Sequence, residues 1–318
     1  MAFGMAKAAY EHGEDATSQP GSPASVTPEP DTVTAQGSRP DDRRRRLRRL
    51  LIGEFSAKRV LISLAEVYLC VLVWAVLFSD HIIFRPPRPS YTEGQGVHRI
   101  SVSQTETIGI LELPNPDARY TVLYAHGNAE DLGSIRSLME WYRNQGFSCY
   151  AFDYRGYGIS DGKPSTPNAY ADTEAAFGHL VNDKGIAPNR IIVHGRSLGA
   201  AFAIHLASKY ELAGLIVESG FVSAFRAVTQ IPISPFDKMR NGRFIRQVGC
   251  PVLVIHGEAD EVIPFWHGKR LFELAPEPKL SFWVPRAGHN DLIFTAGSGY
   301  WEQIHALVRL IESRGNKS

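Results

Sequence analysis

A serine lies between two glycines in Gly195-Arg196-Ser197-Leu198-Gly199, after the apolar run Ile191-Ile192-Val193 and before the small-residue run AAFAIHLAS. A strand that enters G-x-S-x-G and a helix that leaves it are the context of a nucleophile elbow, where the serine hydroxyl stands on a sharp turn. Gly195 and Gly199 let the backbone crowd there. The helix beginning at Leu198 aims its first N–H groups toward developing negative charge, so the Leu198 N–H is one expected oxyanion donor. A hydroxyl is a weak nucleophile until a base accepts its proton, and that base needs a carboxylate to hold its tautomer.

On a strand-turn-helix frame of this kind the chain order is serine, acid, histidine. The strand-like run 251–256 opens into HGEADEVIP and carries Glu258, Asp260 and Glu261 to the end of a strand. The run 279–284 opens into PRAGHNDL and carries His289 to the next such loop. His289 is the expected base, and the three carboxylates compete for the role of acid. A second oxyanion donor is expected after the third strand, where HGNAED follows residues 120–125, and the backbone N–H of Asn128 is the candidate. His126 beside it reads as structural, and Asp153, in DYRGYGIS, as part of a loop shaping the mouth of the site. GYGISDGKPS departs from a P-loop, since Tyr157 takes the first glycine position and Pro164 that of the magnesium-binding Ser or Thr. No H-E-x-x-H and no Cys/His cluster is present, so neither a metal nor another cofactor is expected.

These loops need a frame. β-branched runs at 97–102, 107–113, 120–125, 148–152, 190–194, 213–218, 251–256 and 279–284 read as strands. Helical periodicity falls around 131–145, 168–183, 198–209, 264–274 and 299–313. Alternation of this kind implies an α/β fold, a mostly parallel central sheet with helices on both faces. The first two strands have no room for a helix between them and should pair antiparallel at one edge. The interval 220–249 is long for a connection and carries Phe221, Phe225, Ile231, Pro232, Ile233, Pro235 and Phe236, which predicts a short apolar cap.

Of the 318 residues, 44% are hydrophobic and 21% charged, which excludes a wholly disordered or multi-span chain. Lys and Arg number 34 against 33 Asp and Glu, so no global charge drives nucleic-acid binding. Cys70, Cys149 and Cys250 are too few and scattered for a disulfide framework. Residues 1–42 are rich in Ser, Thr, Pro and Gly and read as a disordered tail. A basic juxtamembrane segment, 43–59, follows with the Arg43–Arg49 cluster. VLISLAEVYLCVLVWAVLF then occupies Val60–Phe78, about one bilayer thickness as a helix. Glu66 opposes insertion by on the order of 2.5–3.5 kcal/mol, which the Leu, Ile and Val residues outweigh. Residues 60–79 are therefore expected as one transmembrane signal-anchor helix, 80–96 as a linker and 97–318 as the catalytic domain. Arg43–Arg46, Arg48, Arg49, Lys58 and Arg59 precede the span, which predicts a cytoplasmic N-terminus, an extracytoplasmic domain and contact with anionic membrane lipid.

HGNAEDLG, FDYRGYGISDGKPS with AYAD, HGRSLGAA, PVLVIHGEADEVIPFWHG and AGHNDL resemble the α/β-hydrolase superfamily over most of 97–313. Within it they resemble the membrane-associated branch of bud-emergence-type proteins and α/β-hydrolase-domain depalmitoylases. The resemblance implies the α/β-hydrolase fold and a serine hydrolase acting on acyl esters or thioesters. Position by position, Ser197 matches the nucleophile, Asp260 the acid and His289 the base. The depalmitoylases attach through a cysteine-rich N-terminus, whereas this chain has no cysteine before Cys70 and an apolar segment instead. The function expected is a membrane-anchored carboxylesterase or thioesterase. An aminopeptidase or amidase on the same triad and a non-catalytic membrane scaffold are the alternatives.

Overall fold

The computed structural model describes residues 40–52, 56–229 and 237–315. The chain divides into two units, Met1–Ser63 and Leu64–Ser318. In the first, helix α1 (Pro40–Ile52) carries the arginine cluster on exposed positions. It takes in residues 40–42, which the sequence reading assigns to the tail; the rest of that tail lies outside the described residues. Helix α2 (Ala57–Ile83) begins in the first unit and continues into the second.

Eight strands follow: β1 (Val97–Ser101), β2 (Thr107–Leu113), β3 (Thr121–Ala125), β4 (Ser148–Phe152), β5 (Ile191–Arg196), β6 (Gly214–Glu218), β7 (Val252–Gly257) and β8 (Lys279–Val284). They form one sheet in the order β1-β2-β4-β3-β5-β6-β7-β8. β2 is antiparallel to β1 and β4, and the remaining neighbours are parallel. The helices after α2 are α3 (Arg136–Asn144), α4 (Thr166–Gly178), α5 (Leu198–Lys209), α6 (Ala224–Thr229), α7 (Asn241–Phe244), α8 (Trp266–Leu274), α9 (Leu292–Ala296) and α10 (Ser298–Gly315). Ser165 starts α4 by accepting the Asn168 N–H, with Pro167 in the first turn, a cap worth about 1 kcal/mol.

Successive residues of a strand face opposite sides, which splits the core in two. Leu123, Val193, Val252 and Val254 pack with α5 on one face. Val122, Ile192, Leu253 and Ile255 pack with Met139 and Tyr142 of α3 and with Tyr300, Ile304 and Leu307 of α10 on the other. Each fully buried Val, Leu or Ile contributes roughly 1.5–3 kcal/mol, so both faces of the central strands must be apolar. Ala125 lies opposite Gly195, and Arg196 opposite Glu218. That register brings the loops after β3, β5 and β6 together at the carboxyl edge of the sheet, where open α/β sheets bind their ligands.

The single transmembrane helix expected over 60–79 is not supported. No single helix among the described residues is long and apolar enough to cross a membrane; two arms, Ala57–Ala75 and Leu77–Ile83, meet at a 54° bend and qualify only as a pair. The second arm is tied to the sheet domain: Ser79 is buried, and the Asp80 carboxylate lies 2.9 Å from Lys238 Nζ and accepts from Thr166 Oγ1 at 2.7 Å. Those polar contacts, invisible in an apolar run, fasten the helix end to the domain. The first arm keeps Leu61, Leu64, Val67 and Trp74 exposed.

In the region of the expected cap, α6 and α7 flank residues 230–236, so Ile231, Pro232, Ile233, Pro235 and Phe236 lie outside the described residues. Phe221 is buried in the core below, and Phe225 is half-buried.

Candidate active site

Ser197 joins β5 to α5 with φ 52° and ψ −114°. A non-glycine residue rarely adopts a positive φ, and such strain, about 1–3 kcal/mol, persists only where surroundings enforce it. Here the Ser197 N–H donates to the Glu218 carbonyl at 2.9 Å, stapling the turn to β6. A Cβ on Gly199 would stand 2.0 Å from the Ala125 carbonyl oxygen, and one on Gly195 would stand 2.4 Å from the Gly199 oxygen. Both glycines are required because helix α5 starts in contact with β3.

His289 Nε2 is 2.9 Å from Ser197 Oγ, and His289 Nδ1 is 2.7 Å from Asp260 Oδ2. The other oxygen of Asp260 accepts the backbone N–H groups of Val262 at 2.9 Å and Ile263 at 2.7 Å. Burial alone would raise this carboxyl, but the His289 hydrogen bond and charge, with the Ile263 N–H, outweigh it and hold Asp260 below its ordinary value. Its rivals do not meet the imidazole this way. Glu261 receives only the His289 backbone N–H, at 3.4 Å, and Glu258 is exposed.

The Asn128 side chain is held on both atoms. Its Oδ1 accepts from the Arg85 N–H at 2.8 Å and from Tyr157 OH at 2.7 Å, and its Nδ2 donates to the Ile83 carbonyl at 2.5 Å. Among the described residues, the backbone N–H groups of Asn128 and Leu198 show no protein acceptor. Gly127, one residue earlier, donates its N–H to Glu130 Oε2 at 2.6 Å.

Arg196, the variable residue of the elbow motif, is a participant that the sequence reading does not identify. Its guanidinium reaches Glu130 Oε1 at 2.5 Å, Glu218 Oε1 at 3.3 Å, the His289 carbonyl at 3.0 Å and Asn290 Oδ1 at 3.2 Å. One cation thus binds the loop after β3, the end of β6 and the loop carrying His289. An arginine at the end of an otherwise buried strand was the available signal. These side chains floor a half-open cavity of about 190 Å³ rimmed by Trp141, Ile293 and Phe294.

His126 and Asp153 are fully buried and pair with each other, Nε2 to Oδ1 at 3.0 Å. Burial disfavours the imidazolium, yet the Asp153 carboxylate outweighs it and raises His126 above its ordinary value. Asp153 also accepts from the Leu132 N–H and Tyr91 OH, so its acceptor sites are filled by the loops it joins.

A mostly parallel eight-stranded sheet with a strained serine between β5 and α5, and loops bearing histidine and acid beside it, defines an α/β hydrolase. Comparison with known proteins agrees. Residues 116–241 match a family model described as serine aminopeptidase, S33. The chain is 33% identical over 275 residues to the α/β-hydrolase domain-containing protein aho-3 of Caenorhabditis elegans, across 76% of this chain and 81% of that one. It is 42% identical over 182 residues to α/β-hydrolase domain-containing protein 17B of Homo sapiens, across 56% of this chain and 63% of the relative, less than two thirds of its length. An esterase of Pyrococcus furiosus superposes with a TM-score of 0.60 at 19% identity, covering 71% of this chain and 98% of that one. Est1E of Butyrivibrio proteoclasticus, with ferulic acid bound, gives 0.57 at 16% identity, covering 67% and 99%. The chain belongs to the α/β-hydrolase domain-containing proteins.

Proposed function

We propose that the chain is a membrane-attached serine hydrolase that cleaves acyl esters or thioesters through Ser197, His289 and Asp260. The observation that carries this reading is the continuous hydrogen-bonded line Ser197–His289–Asp260, at 2.9 and 2.7 Å. Ser197 Oγ attacks the carbonyl carbon as its proton passes to His289 Nε2. Asp260 holds the tautomer that leaves Nε2 free to accept, then stabilises the imidazolium. The tetrahedral oxyanion is held by the N–H groups of Leu198 and Asn128, both without an acceptor among the described residues. The imidazolium returns its proton to the departing oxygen or sulfur, leaving Ser197 acylated. Water, deprotonated by His289, then attacks the acyl carbon and releases the acid.

Membrane attachment is supported by the apolar first arm of α2, whose Leu61, Leu64, Val67 and Trp74 are exposed, and by the arginines of α1 before it. An aminopeptidase reading follows from the description of the matching family model. It needs a carboxylate for the substrate ammonium, and Glu130 and Glu218 are already engaged by Arg196.

The test is turnover by the full chain in detergent micelles of ester and thioester series of increasing acyl length, beside an aminoacyl anilide, with Ser197→Ala in parallel. Ester or thioester cleavage lost in the variant is expected. Cleavage retained in the variant would overturn the mechanism, and preference for the anilide would select the aminopeptidase. Protease protection of the chain in sealed vesicles reads which side of the membrane the hydrolase domain occupies.

A further inference from the structure

The first part of the stretch 80–96, which the sequence presents as a linker, is bound at several points to α5 and to the loops after β3 and β4. Phe84 is buried and stacks on Phe202 of α5, ring centroids 6.5 Å apart. The Ile83 carbonyl and the Arg85 N–H grip the two ends of the Asn128 amide. Ser90 donates its N–H and its hydroxyl to the two oxygens of Asp131, at 2.7 and 2.6 Å. Tyr91 bonds Asp153, and Ser90 approaches Gly133 so closely that a Cβ there would meet its hydroxyl at 2.2 Å. Asn128, Asp131 and Gly133 all belong to the loop after β3.

We infer that residues 79–91, the chain leaving α2, are a positioning element of the oxyanion hole and act through the side-chain amide of Asn128. An amide fixed at both ends cannot rotate about its side-chain bonds without breaking a bond to Ile83, Arg85 or Tyr157. Its own backbone N–H is thereby held in one direction, and a preorganised donor is the kind that stabilises a transition state more than a substrate. The anchor helix and the catalytic loop are in this way mechanically one: Asp80, tied to Lys238 and Thr166, begins the clamp and Asn128 ends it. The inference rests on the proposed role of the Asn128 N–H.

Asn128→Ala in the full chain keeps the backbone donor and removes the clamp. The expected result in micelles is a fall in kcat of roughly 10- to 100-fold with KM within about twofold of wild type. A trifluoromethyl ketone, which forms a tetrahedral adduct with the serine, should lose affinity in proportion to the fall in kcat/KM. A non-reactive amide competitor should bind as before. Tyr157→Phe, which removes one of the two bonds to Oδ1, should give a smaller loss of the same kind and serves if Asn128→Ala does not fold. Arg119→Ala, at an exposed ion pair with Glu312, should leave turnover unchanged. Wild-type kcat in both clamp variants, or equal weakening of ketone and amide, would overturn the inference. Turnover that survives in Ser197→Ala would instead overturn the underlying mechanism, so the two failures are distinguishable.

Discussion

Ser197 Oγ and His289 Nε2 stand 2.9 Å apart although 92 residues separate them in the chain. Nothing local joins them. They meet because β5 and β8 belong to the same run of parallel strands and deliver their following loops to the same edge. The strain at Ser197 and the bond from its N–H to Glu218 keep the hydroxyl on that edge.

Asp260→Asn should lower kcat by roughly three to four orders of magnitude while the protein stays folded. The neutral amide can still accept the Val262 and Ile263 N–H groups, but it no longer favours the required imidazole tautomer or its charge. Steady-state ester turnover, with thermal unfolding as the control, makes the measurement; a loss below tenfold would remove Asp260 from the mechanism.

Arg196→Gln should cost both stability and rate. Removing the cation takes from Glu130 and Glu218 the partner they share, a change worth about 3 kcal/mol where a buried pair is broken, although Glu218 keeps its contacts with His194 and the Tyr300 hydroxyl. It also frees the loop bearing His289, so kcat should fall beyond what Arg119→Ala produces. Calorimetric unfolding and turnover on the same samples check this.

Gly199→Ala should abolish the folded active site. Its Cβ would need to occupy space 2.0 Å from the Ala125 oxygen, and both atoms belong to packed backbone that cannot yield. A soluble, fully active Gly199→Ala protein would contradict the elbow geometry.

Stability should fall with acid in two stages. Burial, then repulsion from His256 and Arg226, lowers His267 to about 4. An unfolded histidine gains its proton near pH 6.5. The folded chain refuses that proton, so this contribution is present above pH 6.5 and lost as pH falls toward 4, on the order of 3 kcal/mol at most. For Glu218, burial works against the carboxylate, but His194, Arg196 and Tyr300 more than offset it and lower the group to about 2. Its contribution is present above the ordinary glutamate range and lost as pH falls toward 2. His267→Gln, whose amide oxygen can replace Nδ1 as acceptor for the Val222 N–H, should shrink the drop in unfolding midpoint between pH 7 and pH 5. An unchanged drop would assign the first stage to another group.

Much of this protein was legible in the amino-acid order, because the relevant signals are local. The eight strands fall within a residue or two of their apolar runs, since a parallel strand buried on both faces must be continuously apolar. The elbow shows itself because its glycines and serine are adjacent. Three kinds of feature were not legible, all for one reason: they depend on which side chains meet across long stretches of chain. Local pattern alone leaves Glu258, Asp260 and Glu261 open within four positions, a choice that only the family resemblance narrows to Asp260, and the path of the loop after β7 brings Asp260 to His289. The apolar run 60–79 carries no mark of the 54° bend between Ala75 and Leu77, nor of the pairing of Asp80 with Lys238 beyond it. Arg196 and the amide of Asn128 look like ordinary polar residues until folding surrounds one with Glu130, Glu218 and the His289 carbonyl, and the other with Ile83, Arg85 and Tyr157. Backbone periodicity is written into neighbouring residues, whereas a hydrogen bond between residues dozens of positions apart exists only once the sheet has set its loops side by side.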